Sequence, residues 1–201
     1  MKTTPLILAA GESSRMGTPK ALLDFDGTSC LELILRSCAR SKAASPLVVL
    51  GFAAAEVRSI LPADIRSVEN PDFLLGQTSS LQLGLRRLPA DSGNFLLFPI
   101  DFPLVRRETI DILLATPGEI VIPTHGGKRG HPARFGGSLV AEFLRLRPDE
   151  PAHQVVRRDP SRVVEIPVED SEVVQRMNRP EEYRACLERF RSLRPDPPGK
   201  D

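Results

Sequence analysis

The chain has no tryptophan, one tyrosine, three histidines and three cysteines in 201 residues. Cys30, Cys38 and Cys186 form no CxxC pair. An odd, sparse set of this kind suits a reducing compartment rather than a disulfide framework, so a cytoplasmic setting is the expectation. An excess of one charge is also missing, with 27 Lys and Arg against 26 Asp and Glu. No global field therefore draws the chain to nucleic acid or to an anionic membrane, and any anionic ligand must be held locally. No apolar run approaches the length of a membrane span, and the opening MKTTPLILAAGESSRMG lacks the full layout of a signal peptide. No internal repeat or clear linker breaks the sequence. With 41% apolar residues the composition suits one compact unit, expected over residues 1–193, followed by a Pro-rich flexible tail over 194–201.

What is present is an alternation of short aliphatic runs with helix-period segments. Pro5 to Ala10, Leu47 to Leu50, Phe95 to Ile100 and Ile120 to Ile122 are continuously apolar, as strands covered on both faces should be; Arg66 to Glu69 is a weaker candidate. Leu31, Ile34, Leu35 and Cys38 recur at helical spacing, as do Leu81, Leu85 and Leu88. Further helices are expected around Ile110 to Leu114, Leu139 to Leu146 and Tyr183 to Phe190, the last started by Pro180 with Glu181 and Glu182 behind it. This is the pattern of βα units on a mostly parallel sheet.

The most informative segment is Gly11-Glu12-Ser13-Ser14-Arg15-Met16-Gly17-Thr18-Pro19-Lys20, directly behind the first strand. Open α/β sheets bind ligands just beyond the carboxyl ends of their strands. Glycines at 11 and 17 permit sharp turns that bring backbone N–H groups to phosphate oxygens, and Arg15 and Lys20 add fixed positive charge. The spacing matches neither the P-loop nor the GxGxxG fingerprint. Asp101 is a lone carboxylate behind an apolar strand, suited to a Mg²⁺ ion that also takes substrate phosphates and water, or alternatively to an Asp-turn ahead of Pro103. Asn178, just before a Pro-started helix, suits a helix cap. Thr78 is expected to cap the helix that carries Leu81. No Ser-His-Asp set and no supported Cys-His pair is evident, so no covalent nucleophile is expected.

LILAAGESSRMGTPKALL resembles the signature LAxGxSxRMGxxK of the nucleotidyltransferase group that includes molybdenum cofactor cytidylyltransferase and molybdopterin guanylyltransferase. The resemblance implies a three-layer, Rossmann-like nucleotidyltransferase fold. It implies that Leu8, Ala9, Ala10 and Gly11 belong to the base and ribose pocket, that Arg15 and Lys20 hold the triphosphate, and that Asp101 and Asn178 hold Mg²⁺. Ser80, in a GxxxSL-like segment, is implied as a nucleotide contact, and Arg129, Gly130 and His131, in a GxRGHPxxF-like segment, as acceptor contacts. LAAG, rather than LAGG, tilts the nucleotide toward CTP.

The chain departs from the family pattern in three places. It lacks the common Gly before Asp101 and Gln after it, it carries Arg176 where the cytidylyltransferases more often have aspartate, and it has Pro148 to His153 in place of a GDxGAR segment. Three readings stay open. They are a cytidylyltransferase acting on molybdopterin, with a molybdoenzyme or maturation factor as partner; a related enzyme acting on another phosphorylated acceptor, or using GTP; and a nucleotide-binding protein without turnover.

Overall fold

The computed structural model describes residues 2–147 and 149–193. The expected tail, 194–201, lies outside the described residues. Among these residues eight strands form one sheet: β1 (Lys2–Leu8), β2 (Leu47–Leu50), β3 (Arg66–Glu69), β4 (Ser92–Pro99), β5 (Ile120–His125), β6 (Lys128–Arg129), β7 (Ala133–Gly136) and β8 (Val163–Pro167). Their order is β3-β2-β1-β4-β7-β5-β6, with β8 also paired to β5. The pairs β1–β2, β1–β4, β2–β3 and β5–β8 are parallel; β7 runs antiparallel to both β4 and β5. The mostly parallel, Rossmann-like expectation thus stands, with an antiparallel insertion at β6 and β7.

Among the described residues seven α-helices flank the sheet: α1 (Cys30–Arg40), α2 (Ala54–Ser59), α3 (Gln77–Arg86), α4 (Arg107–Ala115), α5 (Val140–Leu144), α6 (His153–Arg158) and α7 (Pro180–Leu193). The period-2 geometry of each strand divides its apolar residues between two layers. Ile7, Val48, Leu50, Leu96 and Phe98 face α1, α2 and α4. Leu6, Leu8, Val49, Phe95 and Leu97 face α3, α5 and α6. A third cluster packs α7 through Cys186 against Phe25, Cys30 and Met177, so the last helix closes over the loops behind β1. No helix among the described residues is long and apolar enough to cross a membrane.

Several boundaries differ from those read in the sequence. β1 begins at Lys2 and ends at Leu8, because Thr3 and Thr4 are buried in the ladder with β4 while Ala9 and Ala10 turn away from it. The weak candidate Arg66 to Glu69 is a strand, held in parallel register on β2 although it is only partly buried. The basic loop around Lys128 is a hairpin: Gly126 and Gly127, with φ of 55° and 74°, connect β5 to β6 in two residues, as tight hairpin turns require. Thr78 does not cap α3. It lies inside the helix, buried, and its hydroxyl donates to the Glu150 carbonyl at 2.5 Å.

Candidate active site

The order of the strands reverses about β1, whose neighbours β2 and β4 lead away in opposite directions. That reversal opens a crevice beyond the carboxyl ends of β1 and β4, the place where such sheets bind ligands. Leu8 pairs with Pro99 in register, and the Ile100 N–H donates to the Leu8 carbonyl at 3.3 Å. The two segments that follow, 9–20 and 100–105, therefore leave the sheet side by side. Lys20 and Asp101, 81 positions apart, meet for this reason.

The loop behind β1 is shaped mainly at its middle. Ser13 and Gly17 take left-handed conformations, with φ of 54° and 69°, and the Met16 N–H closes a turn on the Ser13 carbonyl at 2.7 Å. The Ser13 hydroxyl accepts from the Lys20 N–H at 3.2 Å and ties the end of the loop to its start. Gly11 has an ordinary φ, contrary to the turn expected there. A methyl group on it would meet no protein atom within 4 Å, so its bareness matters only to something entering the crevice.

Two cavities open from this crevice. The first, of about 420 Å³, is lined by Leu8, Ala10, Gly11, the loop residues through Arg15, Lys20, Ser80, Asp101 and Asn178. Every residue expected to hold nucleotide, triphosphate or metal lies there, with one exception. Ala9 points to the opposite face of the sheet and packs in the core with Ile7 and Val48. The second cavity, of about 590 Å³, is lined by Arg129, Gly130 and His131 together with parts of α6 and the sheet face. The two cavities share Gln77, Pro99, Asp101 and Arg176.

Asp101, at 8% exposure, is the electrostatic centre. Its Oδ2 lies 3.1 Å from Arg176 Nε and 3.9 Å from Lys20 Nζ. Lys20 Nζ also donates to the Asn178 side-chain oxygen at 2.5 Å. The Lys20 ammonium thus contacts the same two oxygens, one from Asp101 and one from Asn178, that were expected to face a cation. Asn178 spends its amide oxygen on Lys20 rather than on capping α7, and its N–H donates to Glu182 at 2.5 Å. The Met177 N–H donates to the Asp101 carbonyl at 3.0 Å, so the segment 176–178 is pinned against the β4 loop. Burial pushes the Lys20 amine below its usual range, Asp101 pulls it back up, and Arg176 adds to the lowering.

Ser80 is held by the Asn70 side-chain amide, which donates to the Ser80 hydroxyl at 2.9 Å and to that of Ser79 at 3.0 Å. His131 receives its position from its backbone N–H, which donates to the Val173 carbonyl at 2.8 Å, and from Phe102, whose ring centroid lies 4.9 Å away. Its Nδ1 is buried and has no hydrogen-bond partner among the described residues. Burial lowers the His131 pKa, and nearby Asp101 partly offsets this. Gly130 admits no side chain, because a methyl group there would strike the Val173 carbonyl. Arg129 lines the second cavity but is exposed and bonded twice to Glu165, at 2.9 and 2.6 Å. Lys128 does not reach that cavity.

Sequence reading missed Gln77, His153 and Arg157 as lining groups. His153, Val156 and Arg157 stand at i, i+3 and i+4, a helical signal too short to register alone, on a six-residue helix. It also treated Arg176 only as a departure from a pattern, whereas the folded chain puts it at the junction of both cavities.

Among the described residues no three His, Cys, Asp or Glu side chains gather in a metal-binding cluster. One buried carboxylate and one amide oxygen remain, all of them oxygen donors. That set is suited to a hard divalent cation whose remaining positions are filled by phosphate and water, and unsuited to a closed structural site.

Comparison with known proteins agrees with this architecture. Residues 5–163 match the model of the MobA-like NTP transferase domain. Over 116 residues the chain is 34% identical to the bifunctional protein GlmU of Streptococcus equi subsp. zooepidemicus, covering 57% of this chain and 25% of that protein. Over 122 residues it is 37% identical to the 2-C-methyl-D-erythritol 4-phosphate cytidylyltransferase of Streptomyces coelicolor, covering 56% of this chain and 45% of the other. The chain thus spans less than half the length of either relative. The crystal structure of Rv0371c from Mycobacterium tuberculosis superimposes with a TM-score of 0.82 at 27% identity, over 94% of this chain and 99% of that one. The manganese complex of the same protein gives 0.81 at 26%, with the same coverage. With the signature loop, the shared fold and a family match across most of its length, the chain belongs to the MobA-like NTP transferase domain family, a family of nucleotidyltransferases.

Proposed function

We propose that the chain transfers a nucleoside monophosphate from an NTP, with CTP preferred, to a small phosphorylated acceptor such as molybdopterin, releasing pyrophosphate. The observation that carries this reading is the meeting of two cavities at one carboxylate. Asp101 and Arg176 line both, so a ligand in each would bring its reactive end to the same place. Preference for CTP is supported by Leu8-Ala9-Ala10-Gly11 and by the likeness to a cytidylyltransferase from Streptomyces coelicolor. Molybdopterin is supported by the signature loop and the Arg129-Gly130-His131-Pro132 segment.

In this scheme Leu8, Ala10, Gly11 and Ser80 receive the nucleoside, and Arg15 and Lys20 hold the triphosphate. Arg129, Gly130 and His131 border the acceptor. An oxygen of the acceptor phosphate attacks the α-phosphorus in line; a new P–O bond forms there as the bond to the β-phosphate oxygen breaks, and the electron pair leaves with pyrophosphate. Little covalent chemistry is asked of the protein, so positioning and charge screening supply the rate. Asp101 and Asn178 would hold a divalent cation, Mg²⁺ or Mn²⁺, whose charge offsets that of the phosphates; their oxygen donors fit it. Lys20 then turns from these two oxygens toward the departing phosphates.

The test is calorimetric titration of CTP, GTP, ATP and UTP with Mg²⁺ into the wild type and Lys20→Ala. CTP should bind with the highest affinity, and the substitution should weaken it by at least about tenfold, or 1.4 kcal/mol. Failure of every nucleotide to bind the wild type refutes the reading. Product analysis with CTP and molybdopterin then checks the acceptor.

A further inference from the structure

The larger of the two cavities has an uneven chemistry. Its floor is the apolar sheet face of Leu97, Ile122, Ala133 and Phe135. Among the described residues none of its lining side chains carries a hydroxyl, and apart from histidine the only uncharged side chain there able to hydrogen-bond is Gln77. A polyol body would set the hydroxyls on its floor side against carbon, where lost water is not replaced. The one carboxylate that lines it among the described residues, Asp101, is already taken up by Arg176 and Lys20.

Opposite, α6 turns His153, Val156 and Arg157 into the cavity. Val155, fully buried in the core below, fixes the rotation of the helix. Among the described residues the side chains of His153 and Arg157 make no hydrogen bond or ion pair, in contrast to Arg129 on Glu165 and Arg176 on Asp101. Positive charge in a cleft with low-dielectric walls and no counter-charge attracts an anion. A cavity of about 590 Å³ has room for a bicyclic body.

We propose that His153 and Arg157 form a second anion subsite, so that the acceptor is a flat, largely apolar body carrying the reacting phosphate at one end and a carboxylate or second phosphate at the other. This rests on the nucleotidyl-transfer reading, which takes the Asp101 end as the place of reaction, and it departs from that reading in the acceptor, because molybdopterin carries a single phosphate and no carboxylate. His153 and Arg157 act in recognition alone and touch none of the reacting atoms.

The experiment is calorimetric competition with three probes in the presence of Mg²⁺ and CTP: 2-naphthyl phosphate, 6-carboxy-2-naphthyl phosphate and glucose 1-phosphate. The wild type should bind the carboxylated probe at least tenfold more tightly than 2-naphthyl phosphate, and glucose 1-phosphate most weakly. The double variant His153→Gln/Arg157→Gln, altered only at exposed positions, should lose that tenfold preference while its affinity for CTP and for 2-naphthyl phosphate is unchanged. Equal affinity of the wild type for the two naphthyl probes, or a preference that survives in the double variant, overturns the proposal. Absence of CTP binding to the wild type instead marks failure of the reading beneath it.

Discussion

Asp101 Oδ2 is shared by two cations, Arg176 and Lys20, and of the two only Arg176 is mostly exposed. A cation bound at Asp101 must compete with the guanidinium, and a partly exposed ion pair of this kind is worth about 1 kcal/mol at most. Arg176→Ala should therefore tighten Mn²⁺ binding by up to about fivefold, as read by electron paramagnetic resonance, whereas Asp101→Asn should lose it and lower turnover by about a hundredfold or more. His131 gives a second prediction at this scale. Its folded pKa lies below the usual 6.5 because burial disfavours the imidazolium. Well above pH 6.5 both folded and unfolded forms are neutral and no stability is at stake. As pH falls through 6.5 the unfolded chain takes up a proton that the folded chain refuses, so stability is lost. Urea midpoints at pH 7.5 and 5.5 should show this loss in the wild type and a smaller one in His131→Gln.

At the scale of elements, the crevice depends on close approach where β2 ends. A methyl group on Gly51 would stand 2.6 Å from the Ala10 carbonyl oxygen and 2.8 Å from Cβ of both Ala10 and Phe73. Ala10 and Phe73 both line the smaller cavity, and the Phe52 N–H donates to the Ala10 carbonyl at 3.1 Å. Gly51→Ala has no flexible side-chain tip to push aside and must move backbone. It should destabilise the fold by about 1–3 kcal/mol, as overpacking does, and also weaken CTP binding. Thermal melting and calorimetry on the same preparation check both effects; unchanged CTP affinity at a lowered melting temperature would separate the crevice from the packing beneath it. Helix α7 makes the complementary contribution. The Tyr183 hydroxyl donates to the Asp24 carbonyl, and Phe25 meets Tyr183 and Phe190 edge to face, so the segment carrying Asn178 is docked onto the loops behind β1.

At the scale of the molecule, the two cavities lie between loops from both halves of the sheet, and a ligand in them bridges β1, α3, β4 and the segment before α7. Such a ligand stabilises the folded state by mass action. At a concentration one hundred times its dissociation constant it adds about 2.7 kcal/mol. For a chain of this length each kcal/mol raises the melting temperature by roughly 2–4 °C, so saturating CTP with Mg²⁺ should raise it by about 5–11 °C. GTP at the same concentration should raise it less. An equal shift with both nucleotides would count against the preference drawn from Leu8-Ala9-Ala10-Gly11.

Local pattern along the chain sets the class of fold, because continuously apolar runs and i, i+3, i+4 spacings answer to local geometry that needs no distant partner. The first loop was legible for the same reason: its glycines, Arg15 and Lys20 lie within ten residues behind a strand. What local pattern could not carry were the elements stabilised from outside, namely the half-buried β8, the two-residue β6 and the six-residue α6, while the partly buried β3 registered only as a weaker candidate. Assembly of the site belongs to tertiary structure alone. Asp101 reaches Lys20 because β1 and β4 are neighbours in register, and Asn178 joins them because α7 packs on Phe25 and Cys30. Likewise Arg176 stands between the two cavities because the Met177 N–H is hydrogen-bonded to the Asp101 carbonyl, a contact 76 positions apart that only the folded chain can make.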